Sequence, residues 1–181
     1  MDKKKIILFG GGALAVLILF VLAYYWIKLI RDEAIFVPLP KETIRKMLKL
    51  AKINKKDVLY DLGSGDGRVL IIAAKEFGCK CIGIEKNFIL YKISKYKVKK
   101  ERLENKVKIK NKDFFEANLS KASVIFMYLS KKVVNRLKEK FEKELKNNTR
   151  ILSAAHKIDG WKEVKKIKTG HFYSYLYVKS K

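Results

Sequence analysis

Asp61-Leu62-Gly63-Ser64-Gly65-Asp66-Gly67-Arg68 decides how this chain is read. It follows the apolar residues Val58, Leu59 and Tyr60, and reads as a strand joined to a helix through a glycine-rich turn. Glycines at 63, 65 and 67 can take backbone angles closed to other residues, and they leave no Cβ between a ligand and the main chain. Gly63, Ser64, Gly65 and Gly67, flanked by Asp61 and Asp66, are therefore candidate binding residues for a nucleoside cofactor.

Charge decides which cofactor. A dinucleotide site spaces its glycines G-x-G-x-x-G and turns bare N–H groups and a helix N-terminus toward a negative pyrophosphate. Here the spacing is G-x-G-x-G, and two carboxylates border the turn. They oppose a diphosphate and favour a cation. S-adenosylmethionine, with its sulfonium and ammonium groups, is such a ligand. A second strand, Lys80 to Ile84, ends in Glu85, close to the twenty-residue offset from which an acid reaches ribose hydroxyls. Asn87 could donate to the same ribose or simply start a helix as its N-cap. After a third strand, Val107 to Lys110, Asp113 could accept from an adenine amino group, beside Phe114 and Phe115, rings that could pack on the base or in the core.

The set from Asp61 to Arg68, with Glu85 and Asp113, resembles the class I, seven-strand, S-adenosylmethionine-dependent methyltransferases. A narrower similarity runs from Val37 to Trp161. V-P-L-P-K-E-T-I-R-K-M-L-K-L-A, D-V-L-Y-D-L-G-S-G-D-G-R, M-Y-L-S and Gly160-Trp161 are similar to archaeal protein lysine methyltransferases and to their membrane-anchored mitochondrial relatives, which act on the c-subunit of ATP synthase and on the adenine nucleotide carrier. The resemblance implies an α/β, Rossmann-like, seven-strand methyltransferase sheet, mostly parallel with a C-terminal antiparallel hairpin. It also implies that the loop after the fourth strand lies at the methyl end of the cofactor. Met127 then contacts the cofactor, and Tyr128 is the candidate catalytic residue, orienting an acceptor amine.

The residue pattern supports that fold independently. Strands near Asp57–Tyr60, Lys80–Ile84, Val107–Lys110, Ala122–Tyr128 and Arg150–His156 alternate with helical stretches, as parallel βαβ units do. Ile44, Met47, Leu48 and Ala51 share one face of a helix expected over Lys41–Ile53, and Val133, Leu137, Phe141 and Leu145 repeat the pattern. Glu163–Lys168 and Phe172–Val178 read as a hairpin around Thr169-Gly170.

Ile6 to Ile27 is a separate signal: 22 residues without a charge, enough for about 33 Å of helix against a hydrocarbon core of about 30 Å. It predicts one transmembrane helix, with Tyr24, Tyr25 and Trp26 at the headgroup level rather than at a signal-peptide cleavage site. The domain reading is an anchor over 1–31, a linker over 32–40 and a methyltransferase domain over 41–181. Three lysines precede the span, and five lysines and arginines follow within twenty residues, which places the domain on the cytoplasmic side. Cys79 and Cys81 suit a reducing compartment as small core residues, and His156 and His171 are isolated, so no metal is expected.

A net charge of +24 suggests nucleic acid or an anionic surface as a partner. Nucleic acid is disfavoured because Met127-Tyr128-Leu129-Ser130 lacks the N-P-P-Y-like sequence that holds a base nitrogen in base-amino methyltransferases. No inserted lid is visible to enclose a small metabolite, so the acceptor face is expected to be open to a protein side chain. The leading expectation is a membrane-anchored enzyme methylating protein lysine ε-amines, membrane proteins among its substrates. A lipid or small-molecule methyltransferase and a non-catalytic, basic, membrane-bound module are the alternatives.

Overall fold

The computed structural model describes residues 15–26 and 36–180. Two units are distinguished, one ending at Val37 and the other running from Pro38 to Lys181. In the first, residues 15–26 form helix α1, whose large apolar side chains, Leu19, Phe20 and Trp26 among them, are exposed. Among the described residues, no helix is long and apolar enough to cross a membrane, and the expected transmembrane helix over Ile6–Ile27 falls only partly within them. The rest of that stretch, residues 6–14 and 27, lies outside the described residues, as do residues 32–35 of the expected linker.

The second unit runs α2 (Lys41–Leu50), β1 (Val58–Leu62), α3 (Arg68–Glu76), β2 (Lys80–Ile84), α4 (Phe88–Lys100), β3 (Val107–Lys110), β4 (Val124–Met127), α5 (Lys131–Glu144), β5 (Arg150–Ala154), β6 (Lys165–Thr169) and β7 (Phe172–Val178). Its seven strands form one sheet in the order β3-β2-β1-β4-β5-β7-β6. β1 to β5 are parallel, and β7 lies antiparallel between β5 and β6. The central strands are continuous apolar runs because both faces are covered: β4, Val-Ile-Phe-Met, is buried throughout. One face packs on α2, α3 and Val98 of α4; the other packs on α5 and on Ala117, Leu119 and Ala122.

Three expectations shift. α2 stops at Leu50 rather than Ile53, because Lys52 takes a left-handed φ of 51°. Its N–H donates to Lys49 O, and the N–H of Ile53 turns back to Leu48 O, which closes the helix with Ile53 folded onto the core. The connection from β3 to β4 holds no helix; a turn at 113–116 replaces it, with Asp113 Oδ1 accepting from the Phe115 N–H at 2.9 Å. The hairpin turns one residue later than expected, at Gly170-His171, since Thr169 pairs with Phe172. β7 is interior, and Tyr177, on the face of its tyrosine row, is fully buried with its hydroxyl accepting from Ile158 N at 3.1 Å.

The amino edge of the parallel sheet is locked by one buried carboxylate. Asp57 accepts from Ser123 Oγ at 2.7 Å and from the Asn54 N–H at 2.9 Å, and it pairs with the Arg150 guanidinium. Arg150 Nη1 reaches on to Ala51 O at 2.6 Å. The starts of β1, β4 and β5 and the end of α2 thus share one network. Arg150→Leu leaves Asp57 charged and buried, so it is expected to lower stability by about 3–5 kcal/mol in urea denaturation. Adding Asp57→Asn should restore part of that loss.

Candidate active site

β1 to β4 all end at the opposite edge, and the strand order reverses between β1 and β4, opening a crevice outside their carboxyl ends. The glycine turn lies there. The N–H groups of Gly63 and Ser64 both donate to Ile84 O, at 2.9 and 3.1 Å, which fastens the turn to the end of β2. Gly63, Gly65 and Gly67 have φ of 76°, 53° and 80°, in the left-handed region that favours glycine. Space enforces the choice as well: a Cβ on Gly67 would lie 3.0 Å from Ser94 Cβ, and one on Gly63 3.2 Å from Leu129 Cδ2.

Three acids surround the turn and behave differently. Asp61, at the end of β1, is buried, and its Oδ2 has no hydrogen-bond partner among the described residues; the same holds for Ser64 Oγ. Burial, then the charges of Glu85 and Asp66, hold the Asp61 pKa well above the usual carboxylate range. Two orphaned oxygens beneath a bare main chain suit a cationic donor group, and so fit S-adenosylmethionine. Glu85 follows β2, its Oε2 accepting from the Gly65 N–H and its Oε1 from the Asn87 N–H, both at 2.8 Å. Each oxygen keeps a lone pair for a ribose hydroxyl.

Asp66 corrects the electrostatic reading. In the sequence it counts as a bare negative charge, yet Arg68 holds both its oxygens at 2.9 Å and Lys97 Nζ lies 2.6 Å from Oδ2. Burial works against ionisation, but the hydrogen bonds from Arg68 and Lys97 outweigh it and bring the pKa down to about 2. Two cations balance most of its charge, so preference for a cation rests chiefly on Asp61 and Glu85. Arg68 Nη1 also donates to Leu39 O at 3.0 Å, tying the V-P-L-P segment to the turn.

Asn87 serves as the N-cap of α4, its Oδ1 accepting from Ile89 and Leu90 N–H, which leaves only its amide nitrogen to donate to a ribose. Asp113 follows β3 at the same edge, 3.7 Å from Lys86 Nζ, with Oδ1 held by the turn. Phe114 is half-buried on the second core, its ring 4.9 Å from that of Phe115. Met127 is wholly enclosed in that core, so its side chain shapes the crevice from beneath. Tyr128 is half-buried at the mouth, its ring stacked on Phe172 at 5.8 Å and 18°.

Four residues of this edge escape a reading of the sequence. Asn111 donates to the carbonyls of Glu85 and Lys86 at 2.8 and 3.0 Å, fixing the loop after β2. Lys97 and Phe172 reach the site through pairings that only folding creates. Gly83 carries a legible signal, a glycine inside a strand. A Cβ there would sit 2.5 Å from Leu70 Cδ1 and 2.7 Å from Ser64 Oγ.

Comparison with known proteins agrees with this geometry. A family model for the ANTKMT methyltransferase domain matches residues 61–165. A protein-lysine N-methyltransferase of Saccharolobus islandicus (strain REY15A) is 40% identical over 148 residues, covering 79% of this chain and 92% of the relative. An ATP synthase C-subunit lysine N-methyltransferase of Homo sapiens is 29% identical over 126 residues, 70% of this chain and 53% of that protein, so the chain spans about half of its length. Among solved structures, an RNA methyltransferase from Salinibacter ruber in complex with S-adenosyl-L-homocysteine has a TM-score of 0.77 and 33% identity, covering 78% of this chain and 93% of that one.

Two outcomes are expected. Asp61→Asn removes the desolvation cost of a buried ionisable group, so the free protein should melt no lower than the unsubstituted one, while calorimetry shows S-adenosylmethionine bound at least about tenfold more weakly. A folded pKa of about 2 for Asp66, below its unfolded value of 3.8, contributes stability that is present above pH 4 and lost as pH falls toward 2. With Lys97 partly exposed, the pair amounts to about 1–2 kcal/mol, and Asp66→Asn should flatten that part of an acid titration followed by circular dichroism.

Proposed function

As a member of the ANTKMT methyltransferase domain family, the chain is an S-adenosylmethionine-dependent methyltransferase, and we propose that its acceptors are lysine ε-amines of proteins. The observation that carries the donor site is the pair of buried, unpartnered oxygens on Asp61 and Ser64 at the crevice between β1 and β4. The 40% identical protein-lysine N-methyltransferase supports the acceptor.

S-adenosylmethionine supplies a methyl group on a positively charged sulfur, open to direct displacement by an amine. Asp61 and Ser64 would accept from its ammonium group, and the Gly63–Gly67 backbone would lie against it. Glu85, with the Asn87 amide, would hold the ribose. Asp113 would accept from the adenine amino group, and Phe114 would pack nearby. Catalysis then consists largely of lining up two reactants and excluding water. A lysine amine, with an ordinary pKa of about 10.4, must be neutral to react, and desolvation at the crevice mouth favours that form. Tyr128, its ring held by Phe172, orients the amine.

The 22 uncharged residues from Ile6 to Ile27, with Tyr24-Tyr25-Trp26 at their end, support a membrane anchor, and the flanking lysines and arginines support a domain on the cytoplasmic side, which would bring membrane-protein lysines within reach. RNA is a second reading, favoured by the 33% identical RNA methyltransferase and by the +24 charge.

Incubation with methyl-labelled S-adenosylmethionine and a membrane extract should label protein bands on lysine. Label in RNA or in the lipid phase would replace this reading. Tyr128→Phe should lower kcat at least about tenfold with donor affinity unchanged; an unaltered kcat removes Tyr128 from the site.

A further inference from the structure

α4 breaks the pattern of the other long helices. In α2 and α5 the large apolar residues face the core, whereas in α4 only Ser94 and Val98 are buried. Ile89, Ile93 and Tyr96, spaced i, i+4, i+7, form a stripe that is 69%, 39% and 67% exposed, and Phe88 beside it is 59% exposed. The neighbouring stripe, spaced i, i+3, i+7, is Lys92, Lys95 and Lys99, also exposed, with Lys92 Nζ 5.1 Å from the Phe88 ring centre. The helix carries five lysines and no acid. Apolar and aromatic side chains raised to the surface among cations alone make an amphipathic face of the kind that lies in a membrane interface.

We propose that α4 is an interfacial docking helix that sets its Ile89-Ile93-Tyr96 stripe into the headgroup layer of an anionic lipid surface, with Lys92, Lys95 and Lys99 against the lipid phosphates. Charge complementarity selects this occupant, because a protein groove built for the stripe would need acids to meet three adjacent lysines, whereas an anionic bilayer presents them everywhere. α4 starts directly after Glu85 and Asn87, so its docking holds the carboxyl edge of the sheet, and with it the crevice mouth, near the bilayer surface. The inference rests on the exposure and charge of α4 and not on the nature of the methyl acceptor.

The test uses the full chain with Ile93→Cys carrying a fluorophore; Cys79 and Cys81 are buried and stay unlabelled. Vesicles of phosphatidylcholine, alone or mixed equally with phosphatidylglycerol, carry bromine on their acyl chains. Quenching is expected at position 93 in the mixed vesicles and not in phosphatidylcholine alone. A control label at Lys55→Cys, in the turn before β1, should stay bright. Lys92→Glu with Lys99→Glu should weaken the quenching at least about tenfold in lipid titration. Quenching at 93 no greater than at 55 would overturn the proposal. So would light scattering that shows a dimer in solution abolished by Ile89→Ser, or loss of quenching only when a soluble protein is added.

Discussion

A carboxylate placed under a turn with no donor to meet it is expensive, and the parallel sheet is what keeps Asp61 there. β1 is paired on both sides, with Asp61 opposite Gly83 of β2 and Phe126 of β4, so the side chain cannot swing to solvent without breaking two ladders. Gly83 is part of the same constraint: lacking a Cβ, it admits Ser64 Oγ and Leu70 where a larger residue would expel them. The strain is electrostatic rather than steric, since Glu85 and Asp66 add their charges to the desolvation of Asp61. A bound cation relieves all of these terms at once, so donor binding and folding draw on the same interaction.

Much of this edge could be read from the sequence, because strand ends and glycines act locally. The D-L-G-S-G-D-G-R turn and Glu85 after β2 each follow from an apolar run stopping at a polar residue, Asp113 follows the alternating strand Val-Lys-Ile-Lys, and each stands at the carboxyl edge. What could not be read depends on partners far along the chain. Asp66 is paired by Arg68 two residues on and by Lys97, 31 residues away on α4, and only the second lies beyond a local reading. The fold was legible for the same reason, with its misses where tertiary contact overrides local pattern. Lys52 ends α2 by turning left-handed, and Asp113 replaces a crossover helix by capping a turn. Asn87 was legible as a helix start, and it caps α4 with its side-chain oxygen while its backbone N–H donates to Glu85.

The two edges of the sheet show opposite solutions to burying an acid. At the amino edge, Asp57 is saturated by a hydroxyl, an amide and a guanidinium, and the network has no capacity left for a ligand. At the carboxyl edge, Asp61 and Ser64 are left short of partners while the backbone around them is fully committed, Gly63 and Ser64 to Ile84, Gly65 to Glu85. A site assembled this way is rigid before its ligand arrives, because the main chain cannot relax to satisfy the orphaned oxygens. The same division explains why Tyr128 is held by ring stacking on Phe172 rather than by a hydrogen-bonded partner in the core. Stacking fixes the Tyr128 ring plane without engaging its hydroxyl, whereas the Tyr177 hydroxyl accepts from the Ile158 N–H.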